Sequence, residues 1–262
     1  MSTTDLSIII VSWNVKKLLK ECLLSIFKHQ GKLEFEIIVA DNASNDGTVE
    51  MIKKEFTQVK LIPNSNNLGF ATANNQGILK SQGQFILALN PDTKIIKDAL
   101  QKMVDFMKRN PQIGIAGCKH LNPDWTLQPS VRRFPNFFAL FFIFTKIAKI
   151  IPNIPPVYNY LAKDFDYKIA QPVDQVAGSF FMIRRQLIDE IGMFDENFFT
   201  WFEEVDLCKR AKSAGWQVWY NPETEIIHYG GQSFKKEVPW KNQITFFKSA
   251  WYYFSKHGFG KN

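Results

Sequence analysis

Short apolar segments alternate with amphipathic ones over the first 110 residues, and this alternation restricts the fold more than any other feature. The apolar segments are rich in β-branched residues, whereas the amphipathic ones place apolar residues at the three- and four-residue spacing of a helix. Strands are predicted at 6–13, 35–40, 59–62 and 85–90. Strands that alternate with helices predict an α/β fold with a mostly parallel central sheet flanked by helices.

The apolar run Phe85–Leu89 ends abruptly in Asn90, Pro91 and Asp92. In open α/β sheets, ligands bind just beyond the carboxyl ends of such buried strands. Asp92 is therefore predicted to hold a metal ion or a sugar. The alternative is an ordinary strand-to-helix turn, because Asn, Pro and Asp dominate turns for conformational reasons alone.

Asp41 stands at the end of the second predicted strand, where a carboxylate can accept the imide N–H of a uracil or thymine ring. It can also be a helix N-cap or a turn residue. Ser12-Trp13-Asn14-Val15 follows the first strand in place of a glycine-rich loop, and no Walker sequence occurs. A dinucleotide-binding Rossmann fold is therefore disfavoured, and side chains on the loops have to recognise any nucleotide.

Charge and cysteine content argue against several classes of protein. The net charge is +7, but Lys and Arg are spread among acidic residues, so the pattern predicts no nucleic-acid partner. Anionic lipid headgroups or a phosphorylated substrate account for the excess equally well. Cys22, Cys118 and Cys208 form no Cys-x-x-Cys pair, which argues against a disulfide framework or a structural zinc site. The first residues lack the pattern of a secretory signal, so we expect a cytoplasmic protein.

Short motifs follow one another along most of the chain. They include Asp41-Asn42-Ala43-Ser44, Asn67-Leu68-Gly69-Phe70, Asn90-Pro91-Asp92 and Phe202-Glu203-Glu204-Val205-Asp206, with others at 7–14, 176–181 and 227–233. Together they resemble family 2 inverting glycosyltransferases of the GT-A fold, and most closely the rhamnosyltransferase-like branch of bacterial polysaccharide synthesis. The resemblance covers most of residues 6–233 and implies a GT-A fold, here with a helical, aromatic appendage.

The resemblance implies transfer of a sugar, rhamnose or another hexose, from a dTDP- or UDP-sugar to a saccharide or lipid-linked acceptor. The residues implied to bind the donor are Ser12, Asn14, Asp41, Asn42, Asn67, Gly69, Asn75, Asn90 and Asp92. Those implied to bind the acceptor are Gly178, Ser179, Trp201 and Asp206. Two alternatives stay open. One is a sugar nucleotidyltransferase, although no glycine-rich basic loop follows the first strand, and the other is a non-catalytic saccharide-binding protein on a transferase scaffold.

Glu203-Glu204 stands where the family usually has Glu-Asp, so the resemblance makes Glu204 the catalytic base, with Glu203 as the other candidate. Such a transfer needs a base for the acceptor hydroxyl and a cation for the charge that develops on the diphosphate. Asp92 and His228 are implied to hold Mg²⁺ or Mn²⁺, although Asn90 replaces the first acid of the family's Asp-x-Asp motif. The alternatives are that the acidic residues complement a helix dipole and that His228 is a core imidazole.

Two aromatic segments lie outside these motifs. The apolar part of 134–157, at 137–151, is roughly 15 residues long and too short to span a bilayer as a helix. We expect a helix in the interface of the inner face of the cell membrane; the alternative is a hydrophobic lid or dimer surface over the acceptor site. Residues 234–262 are expected to form an aromatic, basic helical extension that docks beside it. The remainder is predicted to divide into a nucleotide-sugar-binding half (1–120) and an acceptor-binding, catalytic half (121–233).

Overall fold

The chain alternates strand and helix through its first 110 residues, as the sequence pattern predicts. A computed structural model describes residues 4–29, 31–151, 153–230 and 239–259. The strands are β1 Leu6–Ser12, β2 Phe35–Asp41, β3 Lys60–Pro63, β4 Phe85–Leu89, β5 Thr93–Ile95, β6 Ile113–Leu121, β7 Leu127–Gln128, β8 Val131–Arg132, β9 Gln171–Pro172, β10 Gln175–Val176, β11 Phe180–Arg184 and β12 Gln217–His228. The helices are α1 Lys16–Lys28, α2 Thr48–Glu55, α3 Phe70–Lys80, α4 Ala99–Arg109, α5 Phe137–Phe144, α6 Ile147–Ile150, α7 Pro155–Tyr160, α8 Arg185–Ile191, α9 Glu203–Ser213 and α10 Pro239–His257.

A mixed sheet forms the centre of the molecule, with the strand order β3-β2-β1-β4-β11-β6-β12-β5. β1 pairs in parallel with β2 and β4, and β6 pairs in parallel with β12. β11 lies antiparallel between β4 and β6, and β5 forms one edge, antiparallel to β12. The prediction of an α/β fold with a helix-flanked central sheet is confirmed; β3, β2, β1 and β4 are parallel, and the antiparallel pairings of β11 and β5 make the sheet a mixed one.

Helices cover both faces of the sheet, which explains why its central strands are apolar throughout. Successive side chains of a strand point to opposite faces, so Ile8 and Ile10 pack in the cluster with α1, α2 and α4. Ile9 packs in the cluster with α3, α8 and α9, and all three side chains are fully buried. The sheet is therefore a rigid base for the residues at its strand ends.

The turn after β4 is held by the end of β12. The backbone N–H of Tyr229 donates to the carbonyl oxygen of Asp92 at 2.9 Å. The antiparallel register of β5 and β12 pairs Thr93 with His228. This pairing brings Asp92 and His228, which are far apart in the sequence, side by side at one edge of the sheet.

The carboxyl-terminal helix α10 packs against α5 and against the loop before α9. Phe137 of α5 and Phe254 of α10 have ring centroids 6.3 Å apart, and Phe202 lies 5.6 Å from Tyr253. The prediction that the two aromatic segments dock against each other is confirmed. Within the described ranges, no helix is both long enough and apolar enough to cross a membrane.

Strands from both predicted halves of the chain join in the one sheet. The division at residue 120, near the end of β6, stays a prediction. The boundary at residue 233, together with the last residues of the motif at 227–233, lies outside the described residues.

Candidate active site

A cavity of about 390 Å³ opens at the carboxyl edge of the sheet. The end of β1, the turn after β4, the start of β11, the start of α9 and the end of β12 all contribute to its wall. Most of the residues assigned from the sequence line it: Asn42, Asn67, Gly69, Asn90, Asp92, Gly178, Ser179, Trp201, Glu203, Glu204 and His228. The fold therefore gathers the predicted metal ligands and the predicted base around one space.

Three residues assigned to the donor, Ser12, Asn14 and Asp41, lie behind this wall. The buried Asp41 carboxylate accepts hydrogen bonds from the backbone N–H of Ser44 at 2.9 Å and from its hydroxyl at 2.6 Å. Asn14 has a left-handed φ of 54° and accepts a hydrogen bond from the backbone N–H of Asn45. Both contacts shape the loop after β2, which matches the turn alternative for Asp41, and direct contact with a donor stays a prediction.

Asn75 and Asp206 do not line the cavity either. Asn75 donates from Nδ2 to the carbonyl oxygen of Phe194 at 2.8 Å, and its Oδ1 accepts from the N–H of the same residue. Asp206 is fully buried and accepts hydrogen bonds from Arg210 and His257. In the structure both side chains hold elements together outside the cavity wall, and contact of Asn75 with the donor and of Asp206 with the acceptor stays a prediction.

His228 and Asp92 present one unpaired nitrogen and one carboxylate to the cavity. His228 Nδ1 lies 2.6 Å from Gln128 Oε1, while Gln128 Nε2 donates to Asn122 Oδ1 at 2.9 Å. This orientation of Gln128 makes Nδ1 the donor and leaves the lone pair on Nε2. The buried Nε2 lies 3.4 Å from Asp92 Oδ1 and has no hydrogen-bond partner among the described residues.

This pair fits a divalent cation that takes its other ligands from a substrate. The carboxylate is a typical ligand of Mg²⁺ and Mn²⁺, and the imidazole lone pair suits Mn²⁺ better than the harder Mg²⁺. Within the described ranges, no group of three or more His, Cys, Asp or Glu side chains is placed to hold a metal. Oxygen atoms of a bound diphosphate would therefore have to complete the coordination, with the amide of Asn90 nearby.

The turn before α9 aims Glu203 and Glu204 into the cavity. Trp201 and Phe202 have left-handed φ values of 65° and 71°, a conformation that costs non-glycine residues about 1–2 kcal/mol each. Phe246 of α10 packs on both rings, with centroids 5.8 Å and 5.3 Å away. Such strain persists where the surrounding structure enforces it, and it is common at functional sites.

The two glutamates share a desolvated environment. Burial raises the pKa of Glu203, and the neighbouring Glu204 charge raises it further. Burial also raises the pKa of Glu204, but the positive charge of Arg132 acts in the opposite direction. The Oε2 atom of each has no hydrogen-bond partner among the described residues. A carboxylate with a raised pKa that faces a cavity is suited to accept a proton.

The loop that carries Asn67 and Gly69 is fastened to the loop before α9. Asn67 Oδ1 accepts hydrogen bonds from Gly69 N at 3.0 Å and from Asn42 Nδ2 at 3.2 Å. The N–H of Phe70 donates to the carbonyl oxygen of Phe199 at 2.7 Å. Gly69 has a φ of 83°, and a Cβ there would overlap that carbonyl oxygen. Glycine is required here both for the backbone conformation and for the close approach.

His120, which sequence reasoning missed, determines the direction of the hydrogen bond that Ser179 forms. Burial, with a contribution from His228, lowers the pKa of His120 to about 3, so the ring is neutral. His120 Nδ1 donates to the carbonyl oxygen of Cys118 at 3.0 Å, which leaves Nε2 to accept from Ser179 Oγ at 2.8 Å. Ser179 therefore offers lone pairs to the cavity. No local sequence pattern marks His120, because its partner Ser179 is 59 residues away in the sequence.

Sequence motifs, sheet and cavity together describe a glycosyltransferase scaffold of the GT-A type. The family model of glycosyl transferase family 2 matches residues 7–192, most of the chain, and the chain belongs to that family. The predicted family is thus confirmed. Glu203 and Glu204 lie beyond the matched residues.

Two curated relatives are similar along most of the chain. The N-acetylglucosaminyl-diphospho-decaprenol L-rhamnosyltransferase of Mycobacterium tuberculosis is 28% identical over 208 residues, covering 75% of this chain and 67% of the relative. The rhamnosyltransferase WbbL of Escherichia coli is 26% identical over 254 residues, covering 91% of this chain and 90% of the relative. Both relatives are named rhamnosyltransferases, and the motifs of this chain resemble the rhamnosyltransferase-like branch of the family.

A solved structure has the same fold. The mannosyltransferase PcManGT from Pyrobaculum calidifontis, in complex with GDP-Man and Mn²⁺, superposes with a TM-score of 0.64 at 15% sequence identity. The match covers 98% of this chain and 65% of that protein, so this chain spans less than two thirds of its structural relative. The GT-A fold predicted from the motifs is confirmed.

Proposed function

We propose that this protein transfers a hexose, rhamnose being the first candidate, from a dTDP- or UDP-sugar to a lipid-linked saccharide with inversion at the anomeric carbon. The observation that carries the proposal is that Asp92, His228, Glu203 and Glu204 all line one cavity. The names of the two rhamnosyltransferase relatives support the choice of sugar, and the mycobacterial name supports a lipid diphosphate acceptor.

Glu204 is the proposed base. Arg132 stabilises its charged form, whereas Glu203 lies beside another carboxylate and keeps its proton more readily. Glu204 would take the proton of the acceptor hydroxyl as that oxygen attacks the sugar.

Asp92 and His228 would hold Mg²⁺ or Mn²⁺ in this cavity. The cation, when bound, would neutralise charge on the departing nucleoside diphosphate. Asn42 and Asn67 face the same cavity and would bind the donor through their amide groups. The Ser179 hydroxyl donates its hydrogen bond to His120 and would accept a hydrogen bond from a sugar hydroxyl.

The test is transfer by purified protein from a panel of nucleotide sugars to a lipid-diphosphate saccharide in the presence of Mn²⁺. Glu204→Gln is expected to lower kcat about 10²- to 10⁴-fold. Glu50→Gln, at an exposed position of α2, is the matched control and should leave kcat unchanged. Full turnover by Glu204→Gln would overturn the assignment of the base. Saccharide binding without metal-dependent affinity for any nucleotide sugar would instead favour the non-catalytic alternative.

We also propose that α5 and α10 contact the membrane from the cytoplasmic side. The exposed rings of α5 and α10, together with one ring just after α10, form the aromatic surface, which consists of Phe137, Phe138, Phe141, Phe247, Trp251 and Phe259. Neither 134–163 nor 239–259 contains an acidic residue, and the exposed Lys146, Lys149 and Lys248 lie close to these rings in the sequence. Apolar rings with basic neighbours and no acids complement an anionic lipid interface.

Sedimentation with phosphatidylglycerol vesicles tests this contact. The double substitution Phe138→Ser and Trp251→Ser should weaken binding at least about tenfold, because each ring buries apolar area worth about 1.5–3 kcal/mol. Leu79→Ser, at a position of α3 that is 73% exposed, is the control and should bind as the unmodified protein does. Equal binding of all three proteins, or no binding to vesicles at all, would favour a lid or a dimer surface.

A further inference from the structure

Arg132, on β8, is a cation in the cavity wall that forms no salt bridge with any of the described residues. Its guanidinium donates to the hydroxyl of Tyr160 at 3.4 Å and lies 5.6 Å from the centre of that ring. No carboxylate lies within 4 Å of it among the described residues. The adjacent Arg133, in contrast, forms two hydrogen bonds of 2.8 Å to Asp164. Arg132 is exposed to solvent and lines the cavity, so its donors are available to a ligand.

The charge of Arg132 lies on the side of the proposed base. Tyr160 and Glu204 are the cavity residues with which it interacts electrostatically. The donor-side residues Asn42 and Asn67 belong to loops that follow β2 and β3, whereas Arg132 lies on β8, which pairs with β10. A guanidinium at this position would contact the acceptor substrate, whose hydroxyl has to lie next to Glu204.

Two helices carry both a cavity-lining aromatic residue and an exposed one. On α7, Tyr160 lines the cavity, while Tyr158 is exposed. On α10, Phe246 lines the cavity, while the next residue, Phe247, is 48% exposed. Five residues after Arg132, α5 starts with Phe137. A molecule with its sugar at Glu204 and its hydrocarbon chain on the aromatic surface would therefore pass Arg132.

We propose that Arg132 binds the diphosphate of a lipid-diphosphate acceptor and so selects acceptors that carry this group. The inference rests on the proposed function and deepens it by naming the residue that recognises the diphosphate of the acceptor. Guanidinium groups match phosphate oxygens in a planar, two-pronged geometry, and such charge-assisted hydrogen bonds are stronger than neutral ones. The linker between sugar and hydrocarbon is the part of the acceptor that carries two negative phosphates.

The kinetic test compares two acceptors with the same sugar and the same alkyl chain, one joined through a diphosphate and the other through a simple glycosidic bond. Arg132→Gln should lower kcat/KM for the diphosphate acceptor about 10- to 100-fold and leave the donor KM unchanged. For the alkyl glycoside, kcat/KM should change much less. The ratio between acceptors is the decisive quantity, because any effect on Glu204 lowers both rates alike. Arg133→Gln is the matched control and should preserve the ratio.

A binding test separates this inference from the proposed function, because it needs no turnover. Calorimetry with decyl diphosphate should show binding by the unmodified protein and by Arg133→Gln, and binding at least about tenfold weaker by Arg132→Gln. That result supports the site even if no sugar is transferred. The inference is overturned if decyl diphosphate does not bind, if Arg132→Gln binds it as well, or if Arg132→Gln slows transfer to both acceptors equally. A rise in donor KM would place Arg132 on the donor diphosphate instead.

Discussion

Asp206 Oδ1 lies 2.7 Å from His257 Nε2, and this contact joins the helix that begins with the two cavity glutamates to the carboxyl-terminal helix. Lys256 also reaches Asp206, at 2.8 Å, and Arg210 contacts its other oxygen at 2.8 Å. The Asp206 carboxylate is fully buried, and three basic side chains contact it. The proposed base at Glu204 therefore depends on α10 for its position, although no residue of α10 needs to touch the reacting atoms.

Asp206→Asn should destabilise the fold. The substitution removes the counter-charge that Lys256 and Arg210 share, but Lys256 keeps Asp195 at 2.6 Å and Arg210 keeps its hydrogen bonds to backbone carbonyl groups. Loss of the charge-assisted hydrogen bonds at this buried acceptor should therefore cost about 1–3 kcal/mol. A chain of this size should then melt about 2–12 °C lower, which calorimetry measures. Asp98→Asn, in an exposed pair with Lys102, is the control and should stay within about 0.5 kcal/mol. Equal melting temperatures for the two variants would show that the Asp206 contacts contribute little.

Gly69→Ala should cost more stability than Gly192→Ala, although both glycines have nearly the same positive φ. At Gly192 (φ 81°, ψ 173°) an added Cβ meets nothing within 4 Å, so only backbone strain of about 1–3 kcal/mol is expected. At Gly69 the Cβ also overlaps Phe199, which should add about 1–3 kcal/mol. Urea unfolding compares the two, and nucleotide-sugar affinity should fall for Gly69→Ala only. Equal losses of unfolding free energy would mean that the loops that carry Gly69 and Phe199 move apart easily.

Glu203→Gln should stabilise the protein increasingly as the pH rises. Burial raises the pKa of Glu203 in the folded state, so folding favours the protonated form. The stability that this form contributes is fully present below the pKa of the unfolded chain and is lost as the pH rises toward the folded-state pKa. Glutamine stays neutral, so the two proteins should melt alike near pH 4 and diverge toward pH 8. A gap in melting temperature that narrows as the pH rises would contradict the assignment.

His228→Gln should weaken metal-dependent donor binding. Gln128 orients the ring, and loss of a supporting partner of a metal-bound histidine typically lowers metal affinity about 10- to 100-fold. Direct loss of the nitrogen ligand should have at least that effect on the Mn²⁺ concentration needed for nucleotide-sugar binding, as measured by calorimetry. His29→Gln, in the turn after α1, should behave as the unmodified protein. If nucleotide sugar binds equally well with EDTA and with Mn²⁺, the proposed metal role is wrong.

The strand pattern and the strand-end acids could be predicted because they depend on local rules. A segment such as Ile8–Ile10 is apolar on both faces only when helices cover both faces of the sheet. The turn at Asp92 follows such a strand directly, and its place at a ligand-binding edge is a general property of α/β sheets. Glu203 and Glu204 were assigned through motif order, and the structure places both in the cavity.

The amino-acid sequence by itself determined the class of fold, the family and the acids that the fold gathers, because periodicity and motif order are properties of neighbouring residues. Only the tertiary structure decided which polar residues face the cavity. Asp206 and Asn75 connect elements of the scaffold and do not line it. Arg132 lines it, and His120 lies behind the wall and accepts a hydrogen bond from Ser179. The physical reason is that β11 inserts antiparallel between β4 and β6, a pairing between distant segments that sets what each side chain meets.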